Sequence, residues 1–155
     1  ADWVSPTYVG STARMVRIGS TMNTSSGTTV MGNNFYNSLV YCTPDITADV
    51  VTGKFTVSVK GNYLVRCGLQ MSNAVSGAAT PIVYASLNGA GAQEWDRGAP
   101  GGYFNAGGDI LRLAGGEVTS IIAMAPGDSV QSGYVTTGAF GIAPKFSIVR
   151  LPTGI

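Results

Sequence analysis

The sequence predicts a single all-β domain, an antiparallel sandwich or barrel of about ten short strands. Apolar residues repeatedly alternate with polar ones at a period of two, which is the spacing of side chains along one face of a strand. Glycine occurs 22 times and proline 7 times, and no stretch has convincing helical spacing. Because only 11% of the residues are charged, Ser, Thr, Asn and Gly supply the polar positions, as strands and turns prefer.

The clearest pair of strands lies in residues 53–71, on either side of a predicted Gly61-Asn62 turn. Phe55 belongs to the first alternating run and Tyr63 to the second. Turn chemistry at Gly27, Leu87, Pro100 and Pro126 separates other runs, since Pro presets φ and Gly permits positive φ. These runs predict strands at 14–19, 28–32, 39–43, 82–87, 110–113, 118–124, 129–134 and 146–151.

The chain of 155 residues fits one domain, which we place at 13–155, after an extended N-terminal arm at 1–12. The arm carries Trp3 and Tyr8 without strand alternation. A frayed terminus is the simpler interpretation, but two large aromatic side chains are costly to leave in water. We therefore expect Trp3 and Tyr8 to contact a partner.

A second contact region is predicted at 89–108, a Gly-rich stretch with little alternation. Trp95, Arg97, Tyr103 and Phe104 lie in it, and aromatic residues and Arg are enriched where proteins bind one another. The alternative is a surface loop that lays its aromatic side chains over one end of the sandwich.

The charge balance argues against nucleic acid as a partner. Nine basic and eight acidic residues give a net charge of +1, too little to attract a polyanion. No apolar run reaches the roughly 18 to 20 residues that a membrane-spanning helix needs. The first residue, Ala1, fits removal of either an initiator Met or a leader, so a secreted or cell-surface location stays open as an alternative.

The sequence contains few residues of the types that usually catalyse reactions or bind metals. There is no His, which removes the commonest general base and the commonest metal ligand. Glu94 with Asp96 is a weak candidate for glycoside cleavage, and Asp45 with Asp49 for calcium binding. Solvated turn carboxylates are the preferred interpretation of both pairs, so we predict no enzyme, no cofactor and no bound metal.

The two cysteines, Cys42 and Cys67, allow at most one disulfide bond. Two buried free thiols are favoured, because unpaired Cys behaves as a small apolar residue. A bridge between strands is the alternative.

Several segments together resemble the globular heads of complement-component-one-q-type and tumour-necrosis-factor-type proteins. The resemblance runs from 13 to 151 and includes GKFTVSVKGNYLV (53–65), YASLNG (84–89), VTSIIAMAPGDSVQ (118–131) and FSIVRL (146–151). Residues 13–30 resemble the opening of divergent bacteriophage and bacterial members. The Phe-Gly pair usual in the last strand is replaced by Phe146-Ser147, which leaves that strand's register open. The residues that carry the signature are Phe55, Gly61, Tyr63, Gly127 and Asp128.

The resemblance implies a ten-stranded jelly roll that assembles as a homotrimer and binds partners without catalysis. The favoured role is a bacteriophage capsid decoration or head-fibre protein on the virion surface, assembled in the host cytoplasm and contacting other virion proteins. The alternative is the receptor-binding tip of a tail fibre or needle, contacting a host surface molecule through 89–108. A small carbohydrate-active enzyme is a third, disfavoured, possibility. No collagen or heptad stalk precedes the head, so we expect a free-standing trimer or a fragment of a longer fibre.

Overall fold

The computed structural model describes residues 10–23, 27–32, 34–73, 82–89, 97–98, 116–136 and 141–152. These residues form twelve strands and no helix. No helix in the described ranges is long and apolar enough to cross a membrane. In chain order the strands are β1 (Thr12–Val16), β2 (Met22–Asn23), β3 (Gly27–Val30), β4 (Ser38–Cys42), β5 (Ile46–Asp49), β6 (Lys54–Val57), β7 (Gly61–Asn73), β8 (Ile82–Leu87), β9 (Arg97–Gly98), β10 (Gly116–Met124), β11 (Ser129–Thr136) and β12 (Gly141–Arg150).

The strands form two antiparallel sheets. Sheet A contains β10, β7, β12, β1 and β4 in that spatial order, and β2 pairs with one end of β12. Sheet B contains β5, β6, β11, β8 and β9, and β3 pairs with β11. Buried residues of both sheets join in one apolar cluster, so the sheets pack face to face. The prediction of an all-β antiparallel sandwich is confirmed.

Strand β12 shows how the sequence specifies the two faces. Ile142, Phe146 and Ile148 are buried, whereas Lys145 and Val149 are exposed. Because neighbouring side chains on a strand point to opposite faces, the first three residues enter the core and the other two point outward. The sequence therefore fixes which face of β12 meets sheet B.

Aromatic residues from both sheets meet at the centre of the core. The ring of Phe55 on β6 lies 4.6 Å from that of Phe146 on β12, and Tyr36 stacks on Phe146 at 6.2 Å. The Tyr36 hydroxyl is hydrogen-bonded to the Ser132 hydroxyl, so neither buried group is left unpaired. Burial raises the pKa of Tyr36 well above its usual value, which keeps this phenol neutral.

The predicted strand pair at 53–71 is wrong in its pairing. β6 lies in sheet B and β7 in sheet A, so the segment between them crosses from one sheet to the other. The turn lies before Gly61, which begins β7, and the Tyr63 hydroxyl spans it by donating to the Val59 carbonyl at 2.7 Å. Alternation predicts that Phe55 and Tyr63 face the core, and this would be true whichever sheet their strands joined. It therefore does not reveal the partner strand.

Other strands differ at their boundaries. β1 ends at Val16, before the predicted end at residue 19, and β2, β5 and β9 are additional short strands. β5 was not predicted because four residues between Asp45 and Val50 give too short an alternation to recognise. The strand predicted at 110–113 lies outside the described residues.

Both cysteines are free thiols, as favoured from the sequence. Cys67 on β7 is buried, whereas Cys42 on β4 is only partly buried. Two strands lie between β7 and β4 in sheet A, which separates the cysteines by about 14 Å, beyond the roughly 7 Å limit for a disulfide. Burial raises the pKa of the Cys42 thiol, so its reactive thiolate form is disfavoured.

Candidate functional site

The outward-facing side of sheet A carries a continuous row of apolar side chains. Ile121 on β10 pairs with Leu64 on β7, and Leu64 pairs with Val149 on β12. Ile121 is 59% exposed and Val149 is 37% exposed, while Leu64 between them is half-buried. Paired residues on adjacent strands lie about 5 Å apart, so the three side chains form one patch. We call this patch the apolar row, and this side of the sheet the open face.

A cavity of about 290 Å³ opens beside the apolar row. At its centre, Ser147 on β12 pairs with Arg66 on β7 on one side and with Arg14 on β1 on the other. Lys145 lies two residues from Ser147 on the same strand and pairs with Gly68. Because Ser147 and Gly68 are small, they leave space between three long basic side chains. We call this cavity the basic pocket; Tyr41, Leu64, Phe146 and Val149 complete its lining.

Strand β4 extends the apolar surface at one edge of sheet A. Leu39, Val40 and Tyr41 are 45%, 51% and 44% exposed, respectively. The register between β1 and β4 shifts after Arg14, which is why strict alternation is lost on β4. Such a bulge also makes an edge strand a poorer template for pairing with another chain.

The outward-facing side of sheet B is polar instead across β5, β6 and β11. Thr47, Thr56 and Ser129 pair in sequence across β5, β6 and β11. The next row across the same three strands consists of Asp49, Lys54 and Gln131. Hydroxyl, amide and paired charged groups are well solvated, so this face does not require a protein partner.

The described aspartates bind nearby groups of their own chain. Asp45 accepts hydrogen bonds from the Ser11 hydroxyl and, at 2.7 Å, from the Thr43 hydroxyl. Burial by itself raises the pKa of Asp45, but these hydrogen bonds outweigh it and the pKa falls below its usual value. Asp49 accepts the Val51 amide at 2.9 Å.

These contacts bear on the calcium alternative. Asp45 precedes β5 and Asp49 ends it, so the two carboxylates are kept at opposite ends of one strand. No cluster of three metal-ligating side chains occurs in the part of the chain that the structure describes. Glu94 and Asp96, the candidates for glycoside cleavage, lie outside that part.

Three signature residues occupy the crossover between the sheets. Phe55 and Tyr63 are fully buried in the core. Gly61 begins β7, where a Cβ atom would lie 3.0 Å from the Cδ atom of Arg150. Glycine therefore lets the chain enter sheet A close to the Arg150 side chain.

The other two signature residues, Gly127 and Asp128, form the turn between β10 and β11. Gly127 has a φ of +91°, which suits the third position of a turn that has Pro126 at its second position. Asp128 accepts the Ala125 amide at 2.8 Å and the Asn88 side-chain amide at 3.0 Å. Backbone hydrogen bonding by Ala125, followed by the bond from Asn88, lowers the pKa of Asp128. The turn predicted at this point is confirmed.

Comparison with known proteins gives a clear result for the fold only. No family model and no curated protein matches the sequence. Murine APRIL at pH 8.0 superimposes with a TM-score of 0.58 and 14% identity, over 92% of this chain and 99% of APRIL. The zebrafish complement 1qA globular domain gives 0.59 and 12%, over 93% and 99%. The Eiger TNF of S. frugiperda gives 0.61 and 12%, over 94% and 95%.

The fold is the tumour-necrosis-factor and complement-one-q jelly roll. The resemblance stated from the sequence motifs is thus confirmed at the level of fold, although identities of 12 to 14% carry nothing further. The register of the last strand is also settled, because Ser147 pairs with Arg14 and Arg66.

In this jelly roll the predicted contact residues lie largely outside the described ranges. Trp3 and Tyr8 of the arm, and Trp95, Tyr103 and Phe104 of the 89–108 segment, fall there and stay predictions. Arg97 begins β9, and its backbone pairs with Tyr84 on β8. The structure therefore attaches one point of the 89–108 segment to the edge of sheet B.

The residues of the apolar row were not identified from the sequence, although a signal for them exists. Each residue of the apolar row stands next to a core residue of its own strand. Two adjacent apolar residues on a strand put one apolar side chain on each face of the sheet. The adjacent pairs are Leu64-Val65, Ile121-Ile122 and Ile148-Val149.

Proposed function

We propose that the chain is a non-enzymatic globular head that forms a homotrimer through the open face of sheet A. The apolar row carries this proposal, because Ile121 and Val149 are exposed in the isolated chain while the rows across β5, β6 and β11 of sheet B are polar. Exposed contiguous apolar patches mark interaction sites. A closed assembly of identical chains covers the same patch on every copy and leaves none exposed.

The finer role that we propose is structural. The trimer would be a bacteriophage capsid decoration or head-fibre protein on the virion surface, held there by its N-terminal arms. The sequence resemblance of residues 13–30 to bacteriophage members supports this assignment. Three arms on one trimer would also turn a weak contact into firm attachment at a threefold position on a shell.

The lack of His in the sequence and the hydrogen bonding of the described aspartates support a binding role. The sequence has no His, and the described aspartates are bound to groups of their own chain. Asp45 and Asp49 are both hydrogen-bonded in this way, and the pKa of each is lowered, which suits a permanent acceptor better than a proton donor.

Light scattering coupled to size exclusion tests the assembly. Three chains of 15.9 kDa each give an expected mass of about 48 kDa. A mass near 16 kDa at micromolar concentration would contradict the trimer.

Particle binding tests the finer role separately. Deletion of residues 1–9 should leave the protein trimeric but abolish binding to purified particles. The deletion stops there because Ser11 is buried and β1 begins at Thr12. A matched control replaces Trp95 by Ala: particle binding should persist in this variant.

If the isolated trimer instead binds host cells and loses that binding on Trp95→Ala, the receptor-binding alternative is supported.

A further inference from the structure

One asparagine fastens the end of β8 to the start of β11. The backbone amide of Asn88 donates to the Ser129 carbonyl at 2.8 Å, and the Ser129 amide donates to Oδ1 of Asn88 at 2.9 Å. Nδ2 of Asn88 donates to the Asp128 carboxylate at 3.0 Å. These hydrogen bonds continue the β8–β11 pairing one step beyond Leu87 and Val130. We call Asn88, Asp128 and Ser129 together the Asn88 corner.

The residue after Asn88 is glycine. Asn88 and Gly89 form the only Asn-Gly pair in the sequence, and both residues are exposed, with φ of +51° and +70°. Because glycine has no Cβ atom, its backbone nitrogen is unshielded and moves more freely than that of any other residue. An asparagine that precedes glycine is therefore the one most prone to lose its side-chain amide.

Loss of that amide is an intramolecular reaction that needs only water. The Gly89 nitrogen gives up its proton and attacks Cγ of Asn88. A C–N bond forms, the bond from Cγ to Nδ2 breaks, and Nδ2 leaves as ammonia, so that a cyclic succinimide remains. Water then adds to either ring carbonyl and opens the ring. The product is an aspartate or, when the backbone now runs through the side chain, an isoaspartate.

The Asn88 corner controls how often this reaction can begin. Its hydrogen bonds hold both polar atoms of the Asn88 side chain, which restrains rotation of Cγ toward the Gly89 nitrogen. Exposed hydrogen bonds at the end of a strand open at a low cost in free energy, so a fraction of the folded chains has an open corner. The reaction rate should follow that fraction.

Asp128 holds the corner closed as a carboxylate. Its pKa is lowered by the hydrogen bond from the Ala125 amide and, to a smaller degree, by that from Asn88. Lys60 lines a cavity together with Asp128, but hydrogen bonds and not this cation account for the lowered pKa. The Asp128 carboxylate therefore depends on the donor that deamidation would remove.

We propose that Asn88 is a deamidation site and that the reaction opens the Asn88 corner permanently. In the product an oxygen replaces Nδ2, so a second carboxylate faces Asp128 where a hydrogen-bond donor was, and like charges repel. The formal net charge of the chain falls from +1 to zero. The predicted contact segment at 89–108 begins at Gly89, so an isoaspartate changes the backbone directly before it. The proposal requires neither the trimer nor the virion role.

Incubation of the folded full chain at mildly alkaline pH tests the site. Peptide mapping by mass spectrometry follows the amide at each asparagine, and labelling by an isoaspartate methyltransferase detects the isomerised product. Asn34 is the internal control, because it is also exposed and has a φ of +64° but precedes the buried Phe35. We expect Asn88 to react at least about tenfold faster than Asn34, since only Asn88 precedes a glycine. Equal rates, or no reaction at Asn88, would contradict the proposal.

Variants of Asp128 test the control by the corner. Asp128→Ala removes a charged acceptor, so the reaction at Asn88 should become about tenfold faster while that at Asn34 stays unchanged. Asp128→Asn keeps one acceptor oxygen and should have a smaller effect. Circular dichroism verifies that both variants are folded. An unchanged rate at Asn88 in both variants, or an equal rise at Asn34, would show that the corner does not restrain the reaction.

Asn88→Asp reproduces the aspartate product and tests its consequence. It should lower the ratio of folded to unfolded chain in urea several-fold, and added salt should lessen the loss by screening the two carboxylates. Combining Asn88→Asp with Asp128→Asn again places one amide donor opposite one carboxylate and should recover most of the stability. A single variant as stable as the wild type, or a double variant no more stable than the single one, would overturn the inference that opposed carboxylates open the corner.

Discussion

The two sheets differ on their outward faces far more than on their inward ones. Inside, Phe55 from sheet B and Phe146 from sheet A contribute equivalent aromatic rings to one core. Outside, sheet B presents Thr56 among other polar groups, whereas sheet A presents Ile121 and its apolar neighbours. Because the inward faces account for folding, the difference between the outward faces indicates what each sheet contacts. In our proposal, sheet B contacts water and sheet A contacts further copies of the chain.

The largest expected effect comes from placing a charge on each outward face. Ile121→Asp should convert the trimer to monomers, because it buries three carboxylates per trimer at several kcal/mol each. Thr56→Asp, the matched change on sheet B, should leave the mass at the wild-type value. Light scattering at equal concentration compares them, and circular dichroism verifies that both variants are folded. Equal behaviour of the two variants would remove the distinction between the faces.

A smaller effect is expected from the inward faces, where the sheets should prove equivalent. Phe55→Ala and Phe146→Ala should each lower the free energy of unfolding by about 3 to 5 kcal/mol, because each leaves a cavity at the same aromatic contact. Thr56→Ala, a surface control, should change it by less than about 0.5 kcal/mol. Urea unfolding at one fixed protein concentration measures all three. A large loss from only one phenylalanine would mean that the core depends mainly on one sheet.

The smallest effect concerns the link that Asp45 makes between the sheets. Ser11 and Thr43 flank strands of sheet A, and both donate to Asp45, which precedes β5 of sheet B. Because the pKa of Asp45 is lower in the folded than in the unfolded chain, its stabilising contribution is present above about pH 4. That contribution is lost as the pH falls through the folded-state pKa.

The pH dependence of unfolding tests this link. Asp45→Asn should be less stable than the wild type at pH 7, and the gap should narrow below about pH 4. Lys60→Gln serves as the control because it changes a charge without touching the link. A gap that stays constant between pH 7 and pH 2 would show that the carboxylate charge does not contribute.

The sequence indicated which side chains of a strand face the core, but not which strands pair with one another. Alternation grouped Phe55 and Tyr63 with the apolar positions of their strands, where both are core residues, and the Pro126-Gly127 turn was correctly placed. The pairing partner of β6 was predicted wrongly, because a period of two describes one strand and carries no information about which strand lies beside it. Long-range pairing is decided by the packing of the whole sandwich.

The candidate site could be predicted only in part. Adjacent apolar pairs such as Ile121-Ile122 indicate an apolar outward face, but no pattern in the sequence indicates the basic pocket. Arg14, Arg66 and Lys145 are distant in sequence and meet only because β1 and β7 both pair with β12. Aromatic content drew attention to Trp95 instead, which lies outside the described residues.

The strand order of sheet A has a consequence for how the chain folds. β1 and β12, near opposite ends of the sequence, are neighbours in the interior of the sheet rather than at its edges. Sheet A uses strands from β1 to β12, so it is complete only when nearly all of the chain is available. Folding should therefore be slow and all-or-none, since its decisive contacts close long loops. Unfolding should also be cooperative, because release of either end of the chain removes β1 or β12 from the interior of sheet A.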